Sequence, residues 1–278
     1  MDSLGNVASG QPGAPTGEAA STEISGGTRG LHPAPEPVTA GAPRPVGWPL
    51  LTQQWRDLVF LHWPVDAGVA GRLLPPGTRP DLFEGTSYVG LIAFRMHRVG
   101  WLGLPGLPYL GSFPETNVRL YSVGPDGRRG VVFRSLDAAR LVPVLAGRTA
   151  FRLPYQWSAM RVHRDGDVVS YASRRRWPGT PARLSMAVRV GRRIDRPSDL
   201  ERFLTARWGL HAAWYGGGLR YLPNQHPPWP LRRATLLRLA ENLITAAGLP
   251  PPAGGPASVL YSPGVPVRLG LPQRWRSG

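Results

Sequence analysis

The chain predicts an α+β fold, mainly antiparallel β, closed into a barrel-like sheet with a few short helices. Three observations carry this expectation. Tyr88 to Met96 is a nearly continuous apolar run rich in β-formers, which suits a strand covered on both faces. Two pairs of strand-like segments flank aspartate–glycine turns, where glycine supplies positive φ without a Cβ clash. Helical signals are few and short, and they are scattered between the strands.

Taken in order, the first 46 residues are mostly Gly, Ala, Pro, Ser and Thr, with almost no large apolar groups and no tryptophan, tyrosine or phenylalanine. Such a stretch buries too little surface to offset its ordering entropy, so residues 1–46 are expected to be a disordered tail and 47–278 a single domain. The start lacks a basic segment followed by an apolar one, which argues against a secretory signal. No run of about 18 apolar residues occurs, so no membrane span is expected and a cytoplasmic protein is the default reading. Within the domain, Asp66 is placed to cap a short helix ending before Pro75-Pro76. Asn117 to Tyr121 and Gly130 to Leu136 form the first hairpin around Pro125-Asp126-Gly127, and Ala138 to Leu145 follows as a helix that contains Pro143. Ala159 to Arg164 and Val168 to Ser173 form the second hairpin around Asp165-Gly166. Ser198-Asp-Leu-Glu201 is a capping box opening a helix to about Trp208. Gly216-Gly-Gly218 reads as a turn, Ala234 to Ala247 as one helix or as a strand and a helix, and Val259–Ser262 and Val267–Leu271 as strands.

All 33 basic residues are arginine, and the chain has no cysteine. Without a side-chain amine there is no Schiff base and no tuned ammonium base, and without a thiol there is no thiolate catalysis, disulfide or Cys-bound metal. Carboxylate, imidazole, hydroxyl and guanidinium remain. The net charge of +16 falls mainly on the domain, since the tail is itself slightly acidic. Diffuse attraction to phosphate is one reading of that charge. The arginines are scattered apart from Arg174–Arg175–Arg176, no nucleic-acid motif is present, and nucleic acid is not the expected partner. No glycine-rich nucleotide loop, nucleophile-elbow serine or His-based metal motif appears, so neither cofactor nor metal is expected.

Eight segments occur in a distinctive order. Trp55-Arg-Asp-Leu-Val-Phe-Leu-His-Trp-Pro64 precedes Leu74-Pro-Pro-Gly77 with Asp81-Leu-Phe-Glu-Gly85, then Val89-Gly-Leu-Ile-Ala-Phe-Arg-Met96. Ser112-Phe-Pro-Glu-Thr-Asn-Val-Arg-Leu-Tyr121, Phe133-Arg-Ser-Leu-Asp-Ala138, Phe151-Arg-Leu-Pro-Tyr155 and His226-Pro-Pro-Trp-Pro-Leu231 follow. Over about residues 50 to 272 this series resembles the YqjF-like family, domain of unknown function 2071, of the acetoacetate-decarboxylase-like superfamily. The resemblance implies a cone-shaped barrel with an interior pocket and assigns no reaction. Acetoacetate decarboxylase forms a Schiff base on a lysine; the corresponding stretch here, Phe151-Arg-Leu-Pro154-Tyr155, has tyrosine in that region. Decarboxylation through an iminium is therefore excluded.

Glu115, Asn117 and Arg119 alternate along one expected strand and share a face. If that face lines a pocket, Arg119 is suited to clamp a carboxylate or phosphate and Glu115 to exchange a proton once burial raises its pKa. The alternative is a solvent-facing strand with an ordinary charge pattern. Asp137 either accepts a hydrogen bond inside the cavity or simply caps the following helix, and capping alone explains it. Arg95 ends an apolar strand, at a rim or in an internal pair. Tyr155 stands in the region where the resemblance implies a functional lysine. His62 and His226, each beside Trp and Pro, are candidate acid–base groups or packed rings using one nitrogen for a backbone bond. The leading expectation is a protein that binds a small organic anion in a barrel pocket. The competitors are an enzyme moving protons on an enolisable carboxylate or keto acid, and a structural or regulatory partner with a relict pocket. Ligand identity and oligomerisation are left open by the sequence.

Overall fold

A computed structural model of the chain describes residues 33–102, 106 and 111–274. Among these, thirteen strands form one sheet. In chain order the first strands and helices are β1 (Leu51–Val65), α1 (Ala67–Leu73), β2 (Arg79–Pro80), β3 (Ser87–Trp101), β4 (Phe113–Val123), β5 (Arg129–Ala138) and α2 (Leu141–Phe151). Next come β6 (Tyr155–Asp165), β7 (Val168–Trp177), β8 (Arg183–Arg193), α3 (Asp199–Thr205), β9 (Gly209–Ala213) and β10 (Leu219–Gln225). The chain finishes with β11 (Arg232–Glu241), α4 (Leu243–Ala246), β12 (Ser258–Leu269) and β13 (Gln273–Arg274).

The pairing closes twice. One circuit runs β4-β5-β6-β7-β8-β11-β12-β1-β3 and returns to β4; a smaller one runs β4-β5-β9-β10-β12-β1-β3. The two share β12, β1, β3, β4 and β5, and only short ladders complete them. β5 meets β6 over three residue pairs and β9 at the single pair Val131–Leu210. β3, β4 and β5 are buried along most of both faces, as the unbroken apolar run of β3 requires, whereas β12 keeps Pro263, Pro266 and Arg268 exposed. One interior is packed solid: Val59, Leu61, Leu91, Val118, Leu120, Tyr171, Met186 and Ile244 belong to one buried cluster that α1 and α4 help to cover. The other interior is hollow.

Local signals act as their chemistry dictates. The Asp66 carboxylate accepts from the Val69 amide at 2.9 Å and starts α1. Ser198 and Glu201 form the reciprocal capping box of α3, at 3.2 and 2.8 Å. The segment 234–247 divides into β11 and α4, whereas the two expected strands at the end merge into β12. The second helix starts three residues later than expected and runs on to Phe151. Pro143 does not break it, because it falls in the first turn, where an amide has no intrahelical acceptor to lose.

Two expectations are corrected. The expected tail, residues 1–46, lies partly outside the described residues, but residues 33–46 are packed on the domain as an extended strap. Val46 is buried, the Glu36 amide donates to Gly127 O at 2.9 Å, and Arg79 and Trp208 donate to Pro33 O and Thr39 O at 2.7 and 3.2 Å. Composition missed this because the strap needs no core of its own; the domain supplies donors for its carbonyls. Asp137 caps no helix. Strand β5 continues through it, and α2 is preceded by Arg140, which makes no side-chain cap bond. Instead the fully buried carboxylate takes two bonds of 2.8 Å from Arg175 and one of 2.8 Å from the Ser158 hydroxyl. One carboxylate thereby ties β5, β6 and β7 together. Because its removal leaves a buried guanidinium without a countercharge, Asp137→Asn is expected to cost about 3–5 kcal/mol. Urea unfolding, read as the change in midpoint, measures it.

Candidate functional site

The hollow interior is a cavity of about 390 Å³. Every strand of the smaller circuit gives it at least one wall residue, for instance Trp55 of β1, Met96 of β3, Phe113 of β4, Phe133 of β5, Leu210 of β9, Asn224 of β10 and Leu269 of β12. Helix α2 and the segments after α3 complete the wall, which is mostly apolar. The alternation of β4 produces this arrangement directly. Thr116, Val118 and Leu120 point one way, the last two into the packed core, while Glu115, Asn117, Arg119 and Tyr121 point the other.

Arg119 is 8% exposed and lines the cavity. Its Nε and Nη2 donate to the Tyr121 hydroxyl at 3.3 and 3.2 Å, and Nη2 also donates to Leu204 O at 3.0 Å. Tyr121 in turn donates to the same carbonyl at 2.9 Å, so the last turn of α3 holds the guanidinium plane in place. Phe60 lies under it, 5.9 Å from the charge. Among the described residues no carboxylate pairs with Arg119, and Nη1 has no protein partner. Arg207 also lines the cavity. It donates to Phe203 O at 2.8 Å and pairs with the buried Asp81, which Arg129 shares. Among the described residues, Arg119 and Arg207 are thus the two guanidiniums on the wall, and Asp81, which does not line the cavity, is shared between Arg207 and Arg129.

Glu115 is 2% exposed, and its Oε2 lies 3.1 Å from the Tyr155 hydroxyl. Burial drives its carboxyl up to about 8; hydrogen bonds from Tyr155 and Asn117 oppose the rise, and nearby Asp137 adds to it. At neutral pH the group is therefore a protonated acid. Burial and the neighbouring Glu115 also push the Tyr155 phenol well above its ordinary value. Tyr155 packs against Gly147 of α2, where a Cβ would come within 2.3 Å of the ring, so the helix can approach only because that residue is glycine.

His226 sits between Trp208 and Trp229, with ring centroids 4.6 and 4.4 Å away. Its Nδ1 is 2.7 Å from Pro227 O, and only a protonated nitrogen can meet a carbonyl there, so Nε2 carries the lone pair. Burial, opposed by the bond to Pro227 O and helped by Arg119, lowers the ring to about 4. It lines the cavity as a neutral acceptor.

The remaining candidates lie elsewhere. Asn117 is buried but does not line the cavity; its Oδ1 has no partner. Arg95 is at the surface beside Asp57, 3.4 Å away, and Asp137 is consumed by Arg175. His62 is fully buried against Arg119 and Tyr121 with no partner on either nitrogen, walled off from the cavity, and its basicity is far below normal. Sequence reasoning missed Arg207 and Asn224, whose Oδ1 is buried without a partner on the cavity wall. Neither carries a local signal, since only the closing of β9 and β10 onto β5 and β12 brings them in. Among the described residues no cluster of His, Asp and Glu could hold a metal ion.

The DUF2071 family model, described as an uncharacterized conserved protein, matches residues 52–266. Uncharacterized protein YqjF of Bacillus subtilis (strain 168) is 31% identical over 213 residues, covering 76% of this chain and 87% of that one. Two similar solved structures are enzymes. An acetoacetate decarboxylase-like enzyme from Sphingomonas wittichii RW1 aligns with TM-score 0.56 at 15% identity, over 82% of this chain and 94% of the other. The enduracididine biosynthesis enzyme MppR in complex with pyruvate aligns with TM-score 0.54 at 16% identity, over 81% and 90%. At such identity these likenesses establish the architecture alone. Together with the ordered segments and the hollow barrel, the sequence match establishes that the chain belongs to the DUF2071 family.

Proposed function

We propose that this protein binds a small organic anion inside the smaller barrel, without Schiff-base chemistry. One observation carries the reading: Arg119 is buried on the cavity wall with a free Nη1 and, among the described residues, no carboxylate to neutralise it. Burying an unpaired guanidinium is costly, and an anionic ligand offsets that cost while gaining charge-assisted hydrogen bonds in a low-dielectric site. Protonated Glu115 does not compete for the guanidinium, and Asn224 and His226 offer further polar contacts. The pyruvate complex of MppR is a precedent for a carboxylate within this architecture. The chain has no lysine, so no imine can form on a side chain.

A second reading, proton transfer on an enolisable acid, is favoured by Glu115. A carboxyl that titrates at about 8 is matched to acid–base work near neutrality, and Tyr155 is in hydrogen-bond reach of it.

Calorimetric titration with acetate and pyruvate is expected to give binding that Arg119→Leu weakens at least tenfold; equal affinity in the variant refutes the anion site. The affinity is expected to fall as pH rises through about 8, because ionised Glu115 then repels the ligand. Deuterium uptake at the carbon next to the ligand's carbonyl group, the methyl of pyruvate or of acetate, abolished in Glu115→Gln while binding persists, would establish the proton-transfer reading; no uptake in the wild type rejects it. Stability has a sign of its own. Between pH 4.5, the ordinary value, and about 8, folded Glu115 holds a proton that the unfolded chain has released, so stability falls as pH rises. This contribution approaches about 1.4 kcal/mol per pH unit, and Glu115→Gln should remove it from urea-unfolding curves.

A further inference from the structure

Resting on that anion-binding reading, we infer that the ligand is an amphiphilic carboxylic acid with an extended aliphatic or aromatic body, not a three- or four-carbon acid. Three features of the cavity point to it. Its volume, about 390 Å³, lies within the range of roughly 300–1,000 Å³ that encloses drug-sized ligands, and far exceeds what acetate or pyruvate fills. Its wall is apolar over most of its area. Trp55, Met96, Phe113, Phe133, Leu136 and Phe151 come from five different elements and meet around the space. A small, fully hydrated acid leaves such walls uncovered, whereas an alkyl or aryl body removes them from water.

The polar groups are placed to suit a long molecule. Arg119 and Glu115 are four residues apart on β4, which sets their Cα atoms ~13 Å apart. A ligand clamped by Arg119 meets Glu115 and Tyr155 only if several carbons follow its carboxylate. The third feature is the rim. Val142 and Trp101 line the cavity and are nevertheless 58% and 44% exposed; Leu145, on the same helix as Val142, is 43% exposed. Apolar side chains held in water beside an apolar cavity form a continuous path for a greasy ligand body. Ala146 of α2 stands on this path, lining the cavity while facing solvent.

The test is a titration series of straight-chain carboxylates from acetate to decanoate, each below its micellar concentration, against the full chain. Affinity is expected to rise about threefold to fourfold per added methylene, then level off when the space is filled. Ala146→Phe, which narrows the path, is expected to lower decanoate affinity at least tenfold and to change acetate affinity far less. Arg119→Leu should weaken every member. A flat series with Arg119-dependent binding overturns the amphiphile and leaves the anion reading standing. Absence of binding by every member overturns both. Decanoate affinity that is unchanged in both variants places it outside the cavity and overturns the inference. Should Arg119→Leu not fold, Ala146→Phe still decides the matter, because its side chain is on the outward surface of α2.

Discussion

Everything in this architecture depends on the two-residue period of β4. A strand shared by two closed circuits must satisfy a different interior on each face, and period two is the only way one backbone can do so. Val118 and Leu120 are thus committed to a packed core, and Glu115 and Arg119 to a hollow one. The packed side supplies the rigidity that keeps the polar side in place. Polar groups in a loosely held sheet would move out to water; here the strand cannot rotate without exposing two fully buried aliphatic side chains.

Arginine takes on work that lysine would not do as well. Only 17 acidic residues face 33 guanidiniums, so at one carboxylate each nearly half of the arginines need another partner. Many are satisfied by main-chain carbonyls instead. Arg134 donates to Leu73 O at 2.9 Å, Arg148 to Tyr155 O at 2.8 Å, and Arg152 to Trp214 O at 2.7 Å. The planar fork with five donors suits this use, tying loops and helix ends to the sheet with little rotamer freedom lost per bond. Arg119 follows the same pattern on one edge, through Nε and Nη2, and leaves Nη1 open on the other.

Much of the fold was legible because it is written locally. The glycine of each hairpin turn, the Asp66 cap and the Ser198–Glu201 box need only their neighbours, and each acts as the residue types require. The site was legible where one strand contains it, as with Glu115 and Arg119, and illegible where closure makes it. Asn224 and Arg207 reach the cavity through the one-pair junction of β5 with β9 and the two-pair junction of β10 with β12, and no pattern in the chain announces contacts so sparse. Asp137 illustrates the opposite error. An aspartate before a helical stretch looks like a cap, and its partner Arg175 lies 38 positions away in a run of three arginines with nothing to single it out.

The strap from residue 33 to 46 has a practical consequence for anyone shortening the chain. Its amino-acid content invites removal of everything before Gly47, yet cutting there would strip the hydrogen-bond acceptors from Arg79 and Trp208 and uncover the surface that Val46 shields. A boundary ahead of Pro33 keeps that belt fastened.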